Sequence, residues 1–310
     1  VWGQCPVLED QPLPDALPVT AFAVYLRSPY EFYLRFIQRA HQVEEPEVEL
    51  PGSAFGTLLH GVLAGLAATD AGASDDAGRV ARALSDLLAS AARERLGPSP
   101  RPALRAQVEA ARLRLAEFAV HQARWASQGW RILHTERRVE RGVARLMVDG
   151  VPMGLTGSID RIDRHEDGRL AIIDYKAGED PKTPEAAHRR GRGGARMWID
   201  LQLPLYRHLA APLLGVGALS AVLAYARLGA EPDLIGFEAA EWNPDDLASA
   251  DQSACDVVRA IRRRRFEIPG EFAQDRVVAA LCADAEGRAR ARRRVGLDAV
   301  LASPGAGGRP

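Results

Sequence analysis

Apolar positions recur at helical spacing through the first 130 residues, and the pattern then switches to strand-like alternation. Thr20 to Ala40 reads as a helix, with Phe22, Tyr25, Leu26, Tyr33, Phe36 and Ile37 as its apolar contacts and Ser28-Pro29 placed to break or kink it. Ser53 fits the N-cap of a helix running to about Ala68, in which Phe55, Leu58, Leu59, Val62, Leu63 and Leu66 recur every three or four residues. Two long helices follow, roughly 79–96 and 102–128, split by Gly97-Pro98-Ser99-Pro100. From Trp130 to about Val148 the residues alternate as a strand pair would. A hairpin comes next: Leu155 to Asp163, a turn at His165-Glu166-Asp167-Gly168, and Leu170 to Tyr175. A Gly- and Arg-rich loop spans 178–196. It precedes an amphipathic helix over Trp198–Leu214, a strand over Leu219–Arg227 and a helix over Asp245–Arg265 that ends in four arginines.

This order predicts an α/β architecture: a central mixed sheet flanked by helices, with a helical part, 53–128, placed ahead of a sheet core, 130–240. Residues 1–18 are proline-rich and read as a linker, and residues 286–310 read as a disordered Arg/Gly-rich tail, leaving 19–285 as the domain. No internal repeat is visible. The chain starts at Val1, which reads as a segment cut from a longer protein.

Composition narrows the function classes. With 47% apolar residues in 310, a substantial core is possible. The net charge of -1 gives no whole-molecule attraction for nucleic acid, so any such binding must rest on local patches. Cys5, Cys255 and Cys282 are odd in number and far apart, which argues against a disulfide framework and for a reducing, cytoplasmic setting. No apolar run has the length of a membrane span, and no membrane partner is expected.

The hairpin carries the candidate chemistry. Of forty basic side chains only Lys176 and Lys182 are lysine. Lys176 closes the run Leu170-Ala171-Ile172-Ile173-Asp174-Tyr175-Lys176, and a lysine kept against an arginine background suggests chemistry that a guanidinium cannot do. The alternative is a lysine that pairs with a surface carboxylate at a strand end. Strand alternation puts Asp174 and Lys176 on one face and Tyr175 on the other. Asp160 and Asp174 both lie seven residues from residue 167, so a symmetric hairpin sets them opposite each other. Facing carboxylates repel unless a cation lies between them, and hard oxygen ligands suit Mg²⁺ or Mn²⁺. A register slip of one would remove this pairing. The bland reading has both aspartates on the surface with Arg161 and Arg164 as partners. His60 sits beside its helix's apolar stripe, either as a structural histidine or as a ligand, with Gly56 leaving a gap one turn earlier. Glu136 lies on the preceding strand, where it could reach the same site or face solvent. Gln202 and Tyr206, four apart, project from one helix face.

Five stretches together resemble the RecB-type branch of the PD-(D/E)xK nuclease superfamily. They are Val24-Tyr25-Leu26-Arg27-Ser28-Pro29-Tyr30-Glu31-Phe32-Tyr33, Phe55-Gly56-Thr57-Leu58-Leu59-His60, Gly157-Ser158-Ile159-Asp160-Arg161-Ile162, Ile173-Asp174-Tyr175-Lys176-Ala177-Gly178 and Gln202-Leu203-Pro204-Leu205-Tyr206. Their order and spacing match over roughly residues 20–270, and the chain looks most like the C-terminal nuclease domain of AddB-type helicase–nuclease subunits. The resemblance implies a restriction-endonuclease-like core with the active site on the hairpin. It implies His60, Asp160, Asp174 and the Tyr175 main-chain carbonyl as ligands of Mg²⁺ or Mn²⁺. Lys176 would be the catalytic cation, Gln202 and Tyr206 the holders of the DNA backbone, and Glu136 an accessory residue. Many relatives hold an iron–sulfur cluster on one early and three late cysteines. Here the early position reads Ser28-Pro29 and only Cys255 and Cys282 lie late, so no cluster is expected.

The expected activity is a metal-dependent deoxyribonuclease, exonuclease ahead of endonuclease. It would belong to a double-strand-break-repair helicase–nuclease, with DNA as substrate and a helicase domain or subunit as partner. The competing readings are a catalytically silent nuclease-fold DNA-binding module and a stand-alone CRISPR-associated-type exonuclease. Arg189, Arg190, Arg192 and Arg196, in the loop between Lys176 and Gln202, are the candidate phosphate contacts. Arg262 to Arg265 form a second basic cluster.

Overall fold

The computed structural model describes residues 11–40, 52–97, 101–191 and 196–267. The chain order is β1 (Ala16–Pro18), α1 (Thr20–Arg27), α2 (Pro29–Phe32), a π-helical turn (Tyr33–Ile37), α3 (Gly52–Leu66), α4 (Ala77–Leu96) and α5 (Pro102–Ser127). Then come β2 (Trp130–Val148), β3 (Val151–His165), β4 (Leu170–Lys176), α6 (Pro184–His188), β5 (Arg189–Arg190), β6 (Met197–Trp198), α7 (Gln202–Leu214), β7 (Val222–Leu228), β8 (Ile235–Ala239) and α8 (Pro244–Arg262). Among the described residues no helix is long and apolar enough to cross a membrane.

The described residues divide into two compact units, one of 15–23 and 52–258, the other of 11–14, 24–40 and 259–267. In the smaller unit the expected long first helix is broken. Pro29 cannot continue it, and the Ser28 hydroxyl caps the next helix by accepting from the Glu31 amide at 3.1 Å. Glu31 is buried and held between Arg27 and Arg35, each at 2.8 Å. Phe32 stacks on Phe266, and the Tyr25 hydroxyl donates to the Arg265 carbonyl at 2.6 Å.

The larger unit holds a six-stranded mixed sheet of order β1-β3-β4-β7-β8, with β2 on β3. Antiparallel β2 runs along one edge of β3. The other edge takes parallel β1 near its start and antiparallel β4 near its end. Parallel β4 and β7 need a crossover, and α7 lies within it. Leu58, Leu59, Val62, Leu63 and Leu66 of α3 pack with Val80, Leu84, Leu115 and Phe118 and with Ile173 and Tyr175 of β4 in one buried cluster. A Cβ on Gly157 of β3 would come within 3.0 Å of Leu209 of α7, so glycine lets that helix lie close on the sheet.

Three expectations are corrected. Ala16–Pro18 is not linker but a strand, paired with Gly154–Thr156 of β3. The segment from Trp130 to Val148 is not a strand pair but one strand of 19 residues, bent by irregularities, because β3 extends far enough to pair with all of it. The helix expected from Trp198 starts at Gln202, since Met197–Trp198 pairs with Arg189–Arg190 in a small ribbon. Residues 1–10, Arg192, Cys5, Cys282 and the expected tail at 286–310 lie outside the described residues.

Candidate active site

The β3–β4 ladder pairs Arg164 with Leu170, Asp163 with Ala171, Ile162 with Ile172 and Arg161 with Ile173. One rung further this register sets Asp160 opposite Asp174, the pairing the hairpin symmetry implied. The ladder ends there. Asp160 Oδ2 instead accepts the Tyr175 amide at 2.8 Å, so a side chain takes the place of a backbone acceptor. Both carboxylates are buried, Asp160 8% and Asp174 3% exposed.

Glu136 joins them through a change of register. Near the β2–β3 turn, Ala144 pairs with Leu155; beyond the irregularity, Val139 pairs with Gly157. Four residues of β2, Glu140 to Val143, therefore face the single residue Thr156. With Thr135 on Arg161 and Arg137 on Ile159, Glu136 falls opposite Asp160. Its φ of 47° lifts it out of regular pairing. Glu136, Asp160 and Asp174 thus form one row across three adjacent strands.

His60 approaches from α3. Its Nδ1 lies 3.7 Å from Asp160 Oδ2, and its ring meets the Tyr175 ring edge-on at 5.3 Å. One ligand atom each from His60, Glu136 and Asp160 lie within 4.8 Å of one another. Nothing lies within 4 Å of where a Gly56 Cβ would sit, one turn before His60. The row is electrostatically costly when bare. Burial first, and then the Asp174 and Glu136 charges, push the Asp160 carboxyl up to about 8, against the opposing pull of the Tyr175 amide. Burial raises Glu136 and lowers His60, so His60 favours its neutral, ligating form.

Asp174 is turned toward the other half of the site. Its Oδ1 is 3.3 Å from Gln202 Nε2 and accepts from the Tyr206 hydroxyl at 3.2 Å, both from one face of α7. Its Oδ2 is buried, ion-pairs with Lys176 Nζ at 2.7 Å and accepts no aligned hydrogen bond. Burial works against the Lys176 charge, but Asp174, with Asp200 and Asp160, outweighs it and raises the ammonium above its ordinary range. The cluster of one imidazole and two carboxylates, with the Asp174 carboxylate next in the row, is a donor set that fits a hard divalent cation.

Beneath this row, on the opposite face, Arg161 is buried and grips Asp163 through Nε at 2.7 Å and Nη2 at 2.6 Å. Its Nη1 donates to Gln122 Oε1 at 2.7 Å, and Trp125 Nε1 donates to Asp163 at 2.7 Å. Arg161 is therefore no partner of Asp160. That support was missed in the sequence; its one signal was a charged pair two apart inside an otherwise buried strand.

The basic loop divides. Arg189 Nη1 donates to Asp246 at 2.8 Å, and its guanidinium lies over the Trp198 ring. Arg196 donates to Glu185 at 2.7 Å. Arg190 is exposed on the ribbon opposite Met197.

A profile described as the PD-(D/E)XK nuclease superfamily matches residues 16–283. No curated protein matches the chain. The match spans most of the sequence, and the chain belongs to the PD-(D/E)XK nuclease superfamily.

Proposed function

We propose that this protein is a Mg²⁺- or Mn²⁺-dependent deoxyribonuclease, the nuclease domain of a helicase–nuclease that processes double-strand breaks, acting as an exonuclease. The observation that carries the reading is the row Glu136–Asp160–Asp174 with Lys176 at its end. Superfamily membership supports the nuclease half of it.

In this reading His60, Asp160, Asp174 and the Tyr175 carbonyl hold the cation, and Glu136 is a further acidic ligand. When bound, the cation supplies a water of lowered pKa and neutralises charge building on the phosphate. Lys176, fixed by Asp174, orients the attacking water and faces the phosphate with its remaining N–H groups. Gln202 and Tyr206 hold Asp174 in place, and they would hold the DNA backbone by exchanging these bonds for it. Arg190, with Arg189, Arg192 and Arg196 in the same segment, adds positive charge near the substrate. Arg189 and Arg196 reach phosphate only by exchanging Asp246 and Glu185 for it.

The test is cleavage of linear single- and double-stranded DNA by the purified chain with Mg²⁺, with Mn²⁺ and with chelator. Metal-dependent release of nucleotides from ends is expected. DNA binding without cleavage under any metal condition would replace this reading with a silent DNA-binding domain.

A further inference from the structure

Lys176 Nζ lies 4.9 Å from the centroid of the Tyr225 ring. Tyr225 is on β7, beside Asp174 in the parallel register, so its ring stands next to the Asp174–Lys176 ion pair. The Tyr225 hydroxyl is 2.5 Å from His188 Nε2. His188 is 1% exposed, and its Nδ1 is 2.9 Å from the main-chain oxygen of Asp200. A carbonyl can only accept. Nδ1 therefore carries the imidazole proton, Nε2 accepts, and the tyrosine hydroxyl donates. The Asp200 carboxylate accepts from the Gln202 amide at 2.7 Å, where α7 begins, and Gln202 Nε2 returns to Asp174. The contacts close a circuit: Asp174, Lys176, Tyr225, His188, Asp200, Gln202 and Asp174 again.

We infer that Tyr225, anchored by buried His188, is a positioning residue for Lys176. Its ring fixes the ammonium beside Asp174 without consuming the N–H groups that the reaction needs. A second carboxylate at this place would also hold the lysine, but it would neutralise the charge and take up those donors. An aromatic face attracts a cation with little directional demand, so it constrains position and leaves hydrogen bonding open. The flexible four-carbon stem of a lysine left to its rotamers would let Nζ leave the Asp174 oxygen. The hydroxyl bond to His188 stops the ring from following it. Tying the circuit to the first residue of α7 also couples the place of Lys176 to that of Gln202. The inference rests on Lys176 as the catalytic ammonium, and its first test does not depend on cleavage.

That test uses protein containing lysine ¹³C-labelled at Cε. The chain has two lysines, Lys176 and Lys182, so the spectrum holds two signals, assigned with Lys182→Arg. In the wild type the Tyr225 ring is expected to displace the Lys176 signal upfield of the Lys182 signal. Tyr225→Leu is expected to bring the two together, and Tyr225→Phe and His188→Gln, which release the hydroxyl, to reduce the displacement. A Lys176 signal unmoved by Tyr225→Leu overturns the inference. Where that variant does not fold, an unmoved signal in both Tyr225→Phe and His188→Gln overturns it. The second test is single-turnover cleavage of linear DNA in Mn²⁺. Tyr225→Leu should slow it about tenfold or more, with DNA affinity unchanged. In a Lys176→Ala background the same change should alter the residual rate by less than about twofold, because the ring acts only through the lysine. A full additional loss in that background also overturns the inference. A wild-type protein that never cuts overturns the nuclease reading instead, and the lysine signal then decides the positioning role.

Discussion

The Asp160 carboxylate accepts the Tyr175 amide at 2.8 Å, one rung beyond the last backbone pair of the β3–β4 ladder. That bond holds one oxygen of Asp160 at the spot where two neighbouring strands part, and it keeps the Tyr175 peptide beside the carboxylate row. An asparagine can accept the same bond through its side-chain carbonyl. Asp160→Asn should therefore keep the fold while losing the charge. Cleavage is expected to fall at least about a hundredfold, as for a metal-positioned reaction deprived of a ligand. The check is single-turnover cleavage beside a thermal melt; undiminished cutting removes Asp160 from the site.

Stability of the metal-free protein should depend on pH in one direction. The folded state holds the Asp160 carboxyl near about 8, while the unfolded chain ionises near about 3.9. Between those values the folded protein retains a proton that the unfolded chain has lost, so stability falls as pH rises from about 4 to about 8. Below that window the effect is absent. Asp160→Asn should melt higher than wild type at pH 8 but not at pH 4, by about 2–4 °C for each kcal/mol relieved. Mn²⁺ should stabilise the wild type more at pH 8 than at pH 5. Parallel melting curves for the two proteins across this range would refute the assignment.

Glu136 faces Asp160 and shares a 4.8 Å cluster with it and His60. Glu136→Gln should weaken Mn²⁺ binding by about ten- to a hundredfold, measured by calorimetry or by EPR of free Mn²⁺. Glu140→Gln, four residues along the strand and paired with Arg138, should leave Mn²⁺ affinity unchanged. Equal affinity in wild type and Glu136→Gln would make Glu136 a bystander.

Lys176→Arg separates charge from position. The guanidinium is larger and planar, and it cannot occupy the point 2.7 Å from Asp174 Oδ2 and 4.9 Å from the Tyr225 centroid with the same donors. Cleavage should drop about a hundredfold while DNA affinity at fixed salt stays within about threefold. Near-wild-type cleavage would show that any cation suffices.

The buried Arg161–Asp163 pair supports the row from the opposite face. Removing one partner strands a charge in the core, so Asp163→Asn should cost about 3–5 kcal/mol in denaturant unfolding. A double replacement by apolar residues of similar volume should cost much less. Equal losses in the single and double variants would refute this account.

How far the sequence was readable depends on the range of the signal. Asp160 opposite Asp174 follows from counting back from the Gly168 turn, because a tight hairpin transmits its register without error over seven residues. The apolar repeats of α3, α4 and α5 are equally local, and those helices lie where their periodicity put them. Glu136 is different. Counting from the Asp149–Gly150 turn in the register of Ala144 on Leu155 would set it opposite Asp163. Only the irregularity at Glu140–Val143 brings it to Asp160, and no periodicity announces where a strand bulges. The Tyr225–His188 contact joins residues 37 apart through a parallel crossover, so it too leaves no local trace.

The irregularity in β2 has one more consequence, for how such a site can change over evolutionary time. The three surplus residues at Glu140–Val143 are taken up outside the ladder, so the pairing on either side is independent of their number. Gly142 there has a φ of 90°, and nothing lies within 4 Å of where its side chain would begin, so the segment can gain or lose residues without disturbing the packed interior. A deletion of three would leave one residue opposite Thr156, with Val139 still on Gly157 and Glu136 still opposite Asp160, so the hairpin would straighten while the acidic row stayed in place. In this protein the surface bulge is a place where chain length can drift while the carboxylates of the site keep their partners.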